Sequence, residues 1–353
     1  MLRKDEIKTR VEMRYEIKSL ETTNSLELAK NLSDIVLDEH FVFFANMKWV
    51  RPFGMLLAAS AIKQFRKKHI ETSFSLETNL SKDAITYAAH MGFVKAISEN
   101  ITIGKLPGEA NGNDNYIPIT ELDLHSIHKS NYLNGNLIGL GDAIEAESFR
   151  LAKILSRNNE EMQKLMTYLI REILRNIPEH AESHKAWICG QYWSDNTAEI
   201  AILDEGIGVK ESLRKNTVHR KYINTDEDAI KCSIKAGISQ AFQPSKKNTS
   251  DDPWANSGFG LYMVSQICKE LHGSFCLASG NKYINIYHDG QSKVGDTNFQ
   301  GTAVKITFST ENLSSSKEII AKIAKQGEEQ AKTIRNAFKQ ASLPSKGLIE
   351  NLF

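Results

Sequence analysis

Apolar and polar positions alternate along the first hundred residues in a way that predicts short strands separated by helices. Val11, Met13, Tyr15 and Ile17 are apolar and the residues between them are polar or charged, the period-two pattern of a half-buried strand. Leu28, Leu32, Ile35 and Val36 fall on one face of a helix capped at Asn24 or Ser25. FVFFANM (41–47) predicts a buried strand. Pro52 then opens a helix, PFGMLLAASAIKQFRKK, whose basic residues sit in the last turns, where the helix dipole favours them. HIETSFSLE (69–77) predicts a third strand and DAITYAAHMGFVKAI (83–97) a third helix. Strand and helix in this alternation predict a small α/β domain over residues 1–100, with helices packed on a sheet. GEANGNDN (108–115) is turn-rich, and YIPI (116–119) reads as a short strand entering the next domain. The whole of 101–141 is expected to be a linker or connecting segment.

The pattern then changes. Helical periodicity resumes at about 142 with Ile144, Phe149, Leu151, Ile154 and Leu155, and RNNEE (157–161) interrupts it. LMTYLIREILRNIPEHA (165–181) is an apolar helix. AWICGQYW (186–193) and TAEIAILD (197–204) are strands joined by a tight turn at SDN. DEGIGV (204–209) leads into a long polar, lysine-bearing stretch over 210–257. NSGFGLYMVSQICKELHGS (256–274) is a glycine turn feeding a helix, followed by strands at 275–279, 282–287 and 301–309. A charged helix over 314–338 carries a narrow apolar stripe at Ile319, Ile320, Ile323 and Ala324. Residues 348–353 end in apolar side chains that suit either a docking tail or a frayed terminus.

Composition adds boundaries to this picture. A chain of 353 residues has room for two domains, and 41% hydrophobic content is ordinary for a globular protein. A net charge of +1 offers no electrostatic case for nucleic acid or an anionic membrane surface. The apolar runs at 41–44 and 55–62 are too short to span a bilayer, and the polar start MLRKDEIKTR leads into no signal-type apolar core. A soluble, cytoplasmic protein is expected. Cys189, Cys232, Cys268 and Cys276 form no CxxC pair and read as reduced, buried thiols. His125 and His128 read as ordinary surface histidines.

Candidate chemistry enters with Glu172 and Asn176, four residues apart and so on one helix face. A carboxylate and an amide stacked there suit a water and a metal ion. Asp204 ends a strand and is followed by Gly206 and Gly208. Gly258 and Gly260 precede a helix, where free N–H groups receive negative charge. Gly301-Thr302 opens the last strand. A nucleotide site needs these parts: backbone that approaches phosphates closely, donors at a helix start, a metal ligand, and a carboxylate to orient water. Alone, each reads better as a tight turn, a strand-to-loop bend or a solvated helix residue. The spacing is neither a Walker A loop nor a dinucleotide-binding fingerprint.

Taken in order, Glu172-xxx-Asn176, Asp204-x-Gly206-x-Gly208, Gly258-x-Gly260-Leu261 and Gly301-Thr302 resemble the N box, the two glycine boxes and the final Gly-Thr of the GHKL ATPases, the family of gyrase B, MutL, sensor histidine kinases and anti-sigma kinases. The resemblance implies a Bergerat-type α/β sandwich over 142–310, with a mixed sheet backed by helices, a lid at 210–257 and a helical tail at 311–353. It implies ATP and Mg2+ as cofactors. Glu172 would orient or deprotonate the nucleophile and Asn176 would bind magnesium. Asp204, with Thr302, would read the adenine amino group. Gly206 and Gly208 would let the backbone pass the nucleotide, Gly258, Gly260 and Leu261 would hold phosphates at the helix start, and Lys246 or Lys247 would reach them from the lid. Pro178 predicts a kink or end to the helix there, which leaves His180 outside this set.

The N-terminal segment resembles the STAS fold through FVFFANMKWVRPFGMLLAA and the helix ending at MGF. Antagonist proteins of that family carry a phosphorylatable serine in the loop before this helix. Here the loop reads Arg51, Pro52, Phe53, Gly54 and has no hydroxyl, which leaves a docking or dimerisation module or a structural cap. The acid at Glu172 favours ATP hydrolysis, or phosphoryl transfer to a hydroxyl, over histidine phosphorylation. The expected function is an ATP-hydrolysing switch whose lid closure controls a protein partner, or a homodimer, through the STAS-like domain or the C-terminal helix. An anti-sigma-like serine/threonine kinase and a non-hydrolysing nucleotide-binding module are the alternatives.

Overall fold

Two sheets form, with a pair of helices between them. The structure is a computed structural model that describes residues 13–36, 40–78, 83–98, 102–133, 139–242, 257–311, 313, 315–342 and 344–346. In the first sheet, β1 (Met13–Ile17), β2 (His40–Ala45) and β3 (Ser73–Thr78) lie parallel in the order β1-β2-β3. Because the order never reverses, both right-handed crossovers fall on the same face. These crossovers are α1 (Thr22–Asp34) and α2 (Pro52–Lys68), which pack side by side. α1 starts after Glu21 with no side-chain cap, one turn earlier than Asn24 or Ser25 would place it. Ser25 is buried inside the helix instead, and Val36 lies beyond its end and is exposed. The helix expected over 83–97 divides into α3 (Asp83–His90) and α4 (Phe93–Ile97). The break is Gly92, whose φ of 96° is left-handed and ends a helix without the strain a side chain would add.

The second sheet holds β4 (Tyr116–Asp123), β5 (Lys185–Tyr192), β6 (Thr197–Asp204), β7 (Ser274–Tyr287) and β8 (Ser292–Ser309) in the order β4-β5-β6-β8-β7. The resemblance implies a mixed sheet, but every pairing in it is antiparallel. β5–β6 and β7–β8 are hairpins, and β8 returns between β6 and β7, so no parallel neighbours arise. β4 and the following α5 (Leu124–Leu133) both lie in the segment expected to link two domains. The two strands read at 275–279 and 282–287 are one strand, β7, with its register irregular around Gly280. β8 begins well before Gly301, because its first residues extend a hairpin that is polar and partly exposed and leaves little apolar pattern.

One face of this sheet is covered by α7 (Glu160–His180) and α10 (Gly260–Glu270). α6 (Leu140–Leu155) packs on α7, and α11 (Ser316–Thr333) packs on α7 and α10. The described part of the stretch read as a lid is folded: α8 (Gly208–Arg214) and α9 (Asp226–Ser233) pack on each other and on β7. α9 carries a reciprocal cap between Thr225 and Asp228, and Asp226 accepts from the Asn281 amide of β7 at 3.0 Å.

The opposite face receives α1 and α2, so the N-terminal unit lies against the back of the second sheet. Along β6, Ile200 and Ile202 join the core of α7 and α10, whereas Ala201 and Leu203 join that of α1 and α2. Burial on both faces explains why β6 reads as a near-continuous apolar run. Polar contacts fix the docking. Phe53 N donates to Glu199 Oε1 at 3.0 Å, Ser60 Oγ to Glu205 Oε1 at 2.6 Å, and Gln64 Nε2 to the Gln300 carbonyl at 2.8 Å. Pro52, Phe53 and Gly54, the first turn of α2, are therefore enclosed, while Arg51 before them stays exposed. A Cβ on Gly54 would lie 1.7 Å from the Leu20 carbonyl oxygen. Cys189, Cys268 and Cys276 are buried free thiols and Cys232 is partly buried; burial pushes Cys268 and Cys276 up to about 12. Among the described residues no helix is long and apolar enough to cross a membrane.

Candidate functional site

α7 provides the axis of the site. Arg157 and Asn158 adopt left-handed backbone, and Asn159 caps the helix by accepting from the Met162 amide at 2.9 Å. The helix does not end at Pro178. The missing N–H forfeits one bond near the C-terminus, and the Ala181 amide still closes onto the Ile177 carbonyl at 2.9 Å. Glu172, Asn176 and His180 consequently follow one another at four-residue steps, and all three line one cavity. The expectation that Pro178 would remove His180 from this face is corrected. Burial lowers the His180 pKa against the opposing pull of Glu179.

This cavity lies between α7, the ends of β6 and β8, α8 and the start of α10. Its volume is about 100 Å3, smaller than the roughly 300–1,000 Å3 of ligand clefts, so a ligand larger than a few atoms needs its walls to move apart. Ile173, Ile177, Ile202, Val209, Leu213 and Val304 supply apolar lining. Of the residues singled out in the sequence, Glu172, Asn176, Asp204, Gly208, Gly258, Gly260, Leu261 and Thr302 line it together. Gly206 sits beneath Asp204, and Lys246 and Lys247 lie outside the described residues.

Asp204 and Thr302 are cross-strand partners at the ends of β6 and β8. Burial pushes the Asp204 carboxyl up to about 6, even though it accepts from the Gly206 amide (2.8 Å) and from Thr302. Glycine is required around it by close approach: a Cβ on Gly206 would lie 2.2 Å from the Ala181 carbonyl oxygen, and one on Gly301 2.0 Å from that of Asp204.

At the other end, Glu172 is 4% exposed. Its Oε1 accepts from Arg171 Nη2 (2.8 Å) and Nε (3.2 Å), and Arg171 Nη1 reaches Glu145 Oε2 on α6 at 3.1 Å. Burial alone would lower the Arg171 pKa, but Glu172 and Glu145 raise it overall, so the guanidinium stays charged. Oε2 of Glu172 points to the start of α10, where a Cβ on Gly260 would lie 2.9 Å away. Gly258, at φ 70°, turns the chain into that helix, and its carbonyl accepts from the Gly237 amide at 3.1 Å. A carboxylate oxygen thus lies beside a helix N-terminus whose first-turn amides favour anions.

Sequence reasoning missed Arg171, Glu145, Gln240 and the serines Ser342 and Ser345, although the last three line the cavity and the first two brace its carboxylate. Arg171 adjoins Glu172 in the sequence and was open to notice. Glu145 lies on another helix, and Ser342 and Ser345 come from the C-terminal tail, where no local pattern marks them. Among the described residues there is no group of three or more His, Cys, Asp and Glu side chains that would hold a metal alone. Comparison with protein-family models, with curated proteins and with solved structures returned no match.

Proposed function

We propose that the chain is an ATP-binding, Mg2+-dependent ATP-hydrolysing switch of the GHKL type. The observation that carries this reading is the placement of Glu172 Oε2 against Gly260, at the N-terminus of α10 and inside a cavity that also holds Asn176, Asp204 and Thr302. The apolar lining suits a flat base, and the Asp204 carboxylate suits its exocyclic amine. The α10 N-terminus suits phosphate oxygens. Asn176, on the face of α7 between the two ends, would hold Mg2+ together with phosphate oxygens and water, as expected of an ion that seldom takes an all-protein cage. Bound there, the ion would neutralise charge on the phosphates.

In hydrolysis, water attacks the γ-phosphorus, the bond to the β-phosphate oxygen breaks, and ADP leaves. Glu172 Oε2 orients that water and accepts its proton. Arg171 holds the other oxygen and so limits rotation of the carboxylate. Glu205, the residue after Asp204, is bonded to Ser60 and lies 3.5 Å from Lys63 on α2. Changes at the base end therefore have a physical contact with the N-terminal unit, and this supports a switch that acts on a protein partner.

The test is incubation of the purified chain with Mg2+ and γ-labelled ATP, with and without Glu172→Ala. Free phosphate that disappears in the variant supports hydrolysis. Label on an added protein supports a serine kinase instead. Tight binding with neither outcome leaves a nucleotide-binding module, and absence of binding removes the GHKL reading.

A further inference from the structure

The cavity continues past Glu172, and its far wall is the C-terminal segment. Its base end lies by Ala181, under which Gly206 passes, and its carboxylate end by Glu172 and Gly260. One turn further along α7, Tyr168 donates to the Ser345 carbonyl at 2.9 Å. Ser342 and Ser345 both line the cavity and are almost wholly buried. The Ser342 amide donates to Ser257 Oγ at 3.0 Å, Ser257 Oγ bonds Ser342 Oγ at 3.2 Å, and Ser342 Oγ bonds Ser345 Oγ at 3.2 Å. Three hydroxyls therefore form a chain that begins one residue before Gly258 and ends beyond Glu172.

The segment is held in place by defined bonds. Phe338 N donates to the Gly237 carbonyl at 2.8 Å, and the Ala341 amide and Lys346 Nζ both reach Glu328 Oε1, at 3.0 and 2.8 Å. A Cβ on Gly237 would lie 2.1 Å from the Phe338 carbonyl oxygen, so glycine permits the approach. Gly237 is bonded in turn to Gly258. Among the described residues no lysine lines the cavity. Hydroxyls reorient freely and donate to phosphate oxygens, and a hydrogen bond to a charged group is worth more than one between neutral groups.

We infer that Ser342 and Ser345 are ligands of the terminal phosphate, so that the C-terminal segment docks more firmly with a nucleoside triphosphate than with a diphosphate. This rests on the ATP reading of the same cavity. The diphosphate lacks the group these hydroxyls would meet, and its binding at the base end and at α10 is unaffected by them. By linkage, whatever displaces the segment weakens triphosphate binding by the same factor that triphosphate binding tightens the segment.

The experiment compares ADP with the non-hydrolysable β,γ-imido analogue of ATP, with Mg2+, on the full chain and on Ser342→Ala, Ser345→Ala and the double variant. The expected result is a loss of about tenfold or more in analogue affinity for the double variant, with ADP affinity changed less than about twofold. On the wild-type chain, deuterium uptake at the Phe338, Ala341 and Ser342 amides should fall further with the analogue than with ADP, a readout that needs no variant to fold. Equal losses for both nucleotides, or equal protection by both, overturn the inference. Phosphate found covalently on either serine after incubation with ATP also overturns it, since the hydroxyls would then be acceptors. No binding of either nucleotide by the wild-type chain overturns the ATP reading as well, and is told apart from the other outcomes by the ADP measurement.

Discussion

The N-termini of α2 and α10 both meet carboxylates, and their fates differ. The start of α2 is filled by its own chain: Glu199 of β6, 1% exposed, accepts from the Phe53 amide, and its other oxygen lies 3.9 Å from Arg51. Burial raises the Glu199 pKa, and Lys305, the Phe53 amide and Arg51 pull it back. At the start of α10 the carboxylate of Glu172 is turned partly aside, one oxygen bound by Arg171 and the other left beside Gly260. The same partial positive charge therefore does two jobs. Where the chain supplies the anion, the helix end becomes an internal fastening. Where a guanidinium holds the carboxylate at the edge of a cavity, the helix end stays open to a ligand.

The sharpest way to break this contrast is at Arg171. Arg171→Ala leaves Glu145 and Glu172 buried without their shared cation, and a loss of about 3–5 kcal/mol is expected from such a change. Chemical denaturation with urea reads it directly. A variant as stable as the wild type would mean that the clamp is not what keeps Glu172 in place. Next in size is Glu172→Gln, which keeps shape but removes the carboxylate that the ATPase proposal makes the base. Phosphate release should fall about a hundredfold or more, while ADP affinity holds within a few-fold; if both fall together, Glu172 is a binding group only.

At the filled end, Glu199→Ala leaves the Phe53 amide buried without an acceptor, at a cost of about 1–3 kcal/mol. Glu199→Gln keeps an acceptor and should cost less, and the difference between the two melting temperatures measures the fastening. The smallest effect concerns pH. Asp204, raised from 3.8 to about 6, is favoured in its protonated form by the fold. Its contribution to stability is thus present below about pH 4 and is lost as pH rises through about 6. An amine donor on the ligand wants the carboxylate, so ADP affinity should strengthen across that window by at most about tenfold per pH unit. Asp204→Asn should flatten the dependence, which titration calorimetry at several pH values would reveal.

Much of the open site was legible along the chain, and little of the filled one was. Glu172 and Asn176 share a face because of helical spacing, and Gly206, Gly208, Gly258 and Gly260 announce close backbone approach by their type alone. Glu199 gave no such signal. It sits in an apolar strand, and its partner at Phe53 is distant in the sequence. Pro178 misled in the opposite direction, since a proline so near a helix end removes one bond and no more. The stretch after Gly208 read as a polar lid because its buried positions, Ile223, Ala229, Ile230 and Ile238, are spread over short helices that show weak periodicity.

What the sequence determined by itself is local: which segments are strands or helices, where backbone must pass without a side chain, and which acids and amides share a helix face. These follow from periodicity and from steric limits that act over a few residues. Tertiary structure decided the rest. It inserted β8 between β6 and β7, laid α1 and α2 on the back of the sheet, joined Arg171 to Glu145 across two helices, and brought Ser342 and Ser345 to the end of the cavity. Each of these depends on which surfaces bury best against one another, and burial is a property of the assembled chain that no short window contains.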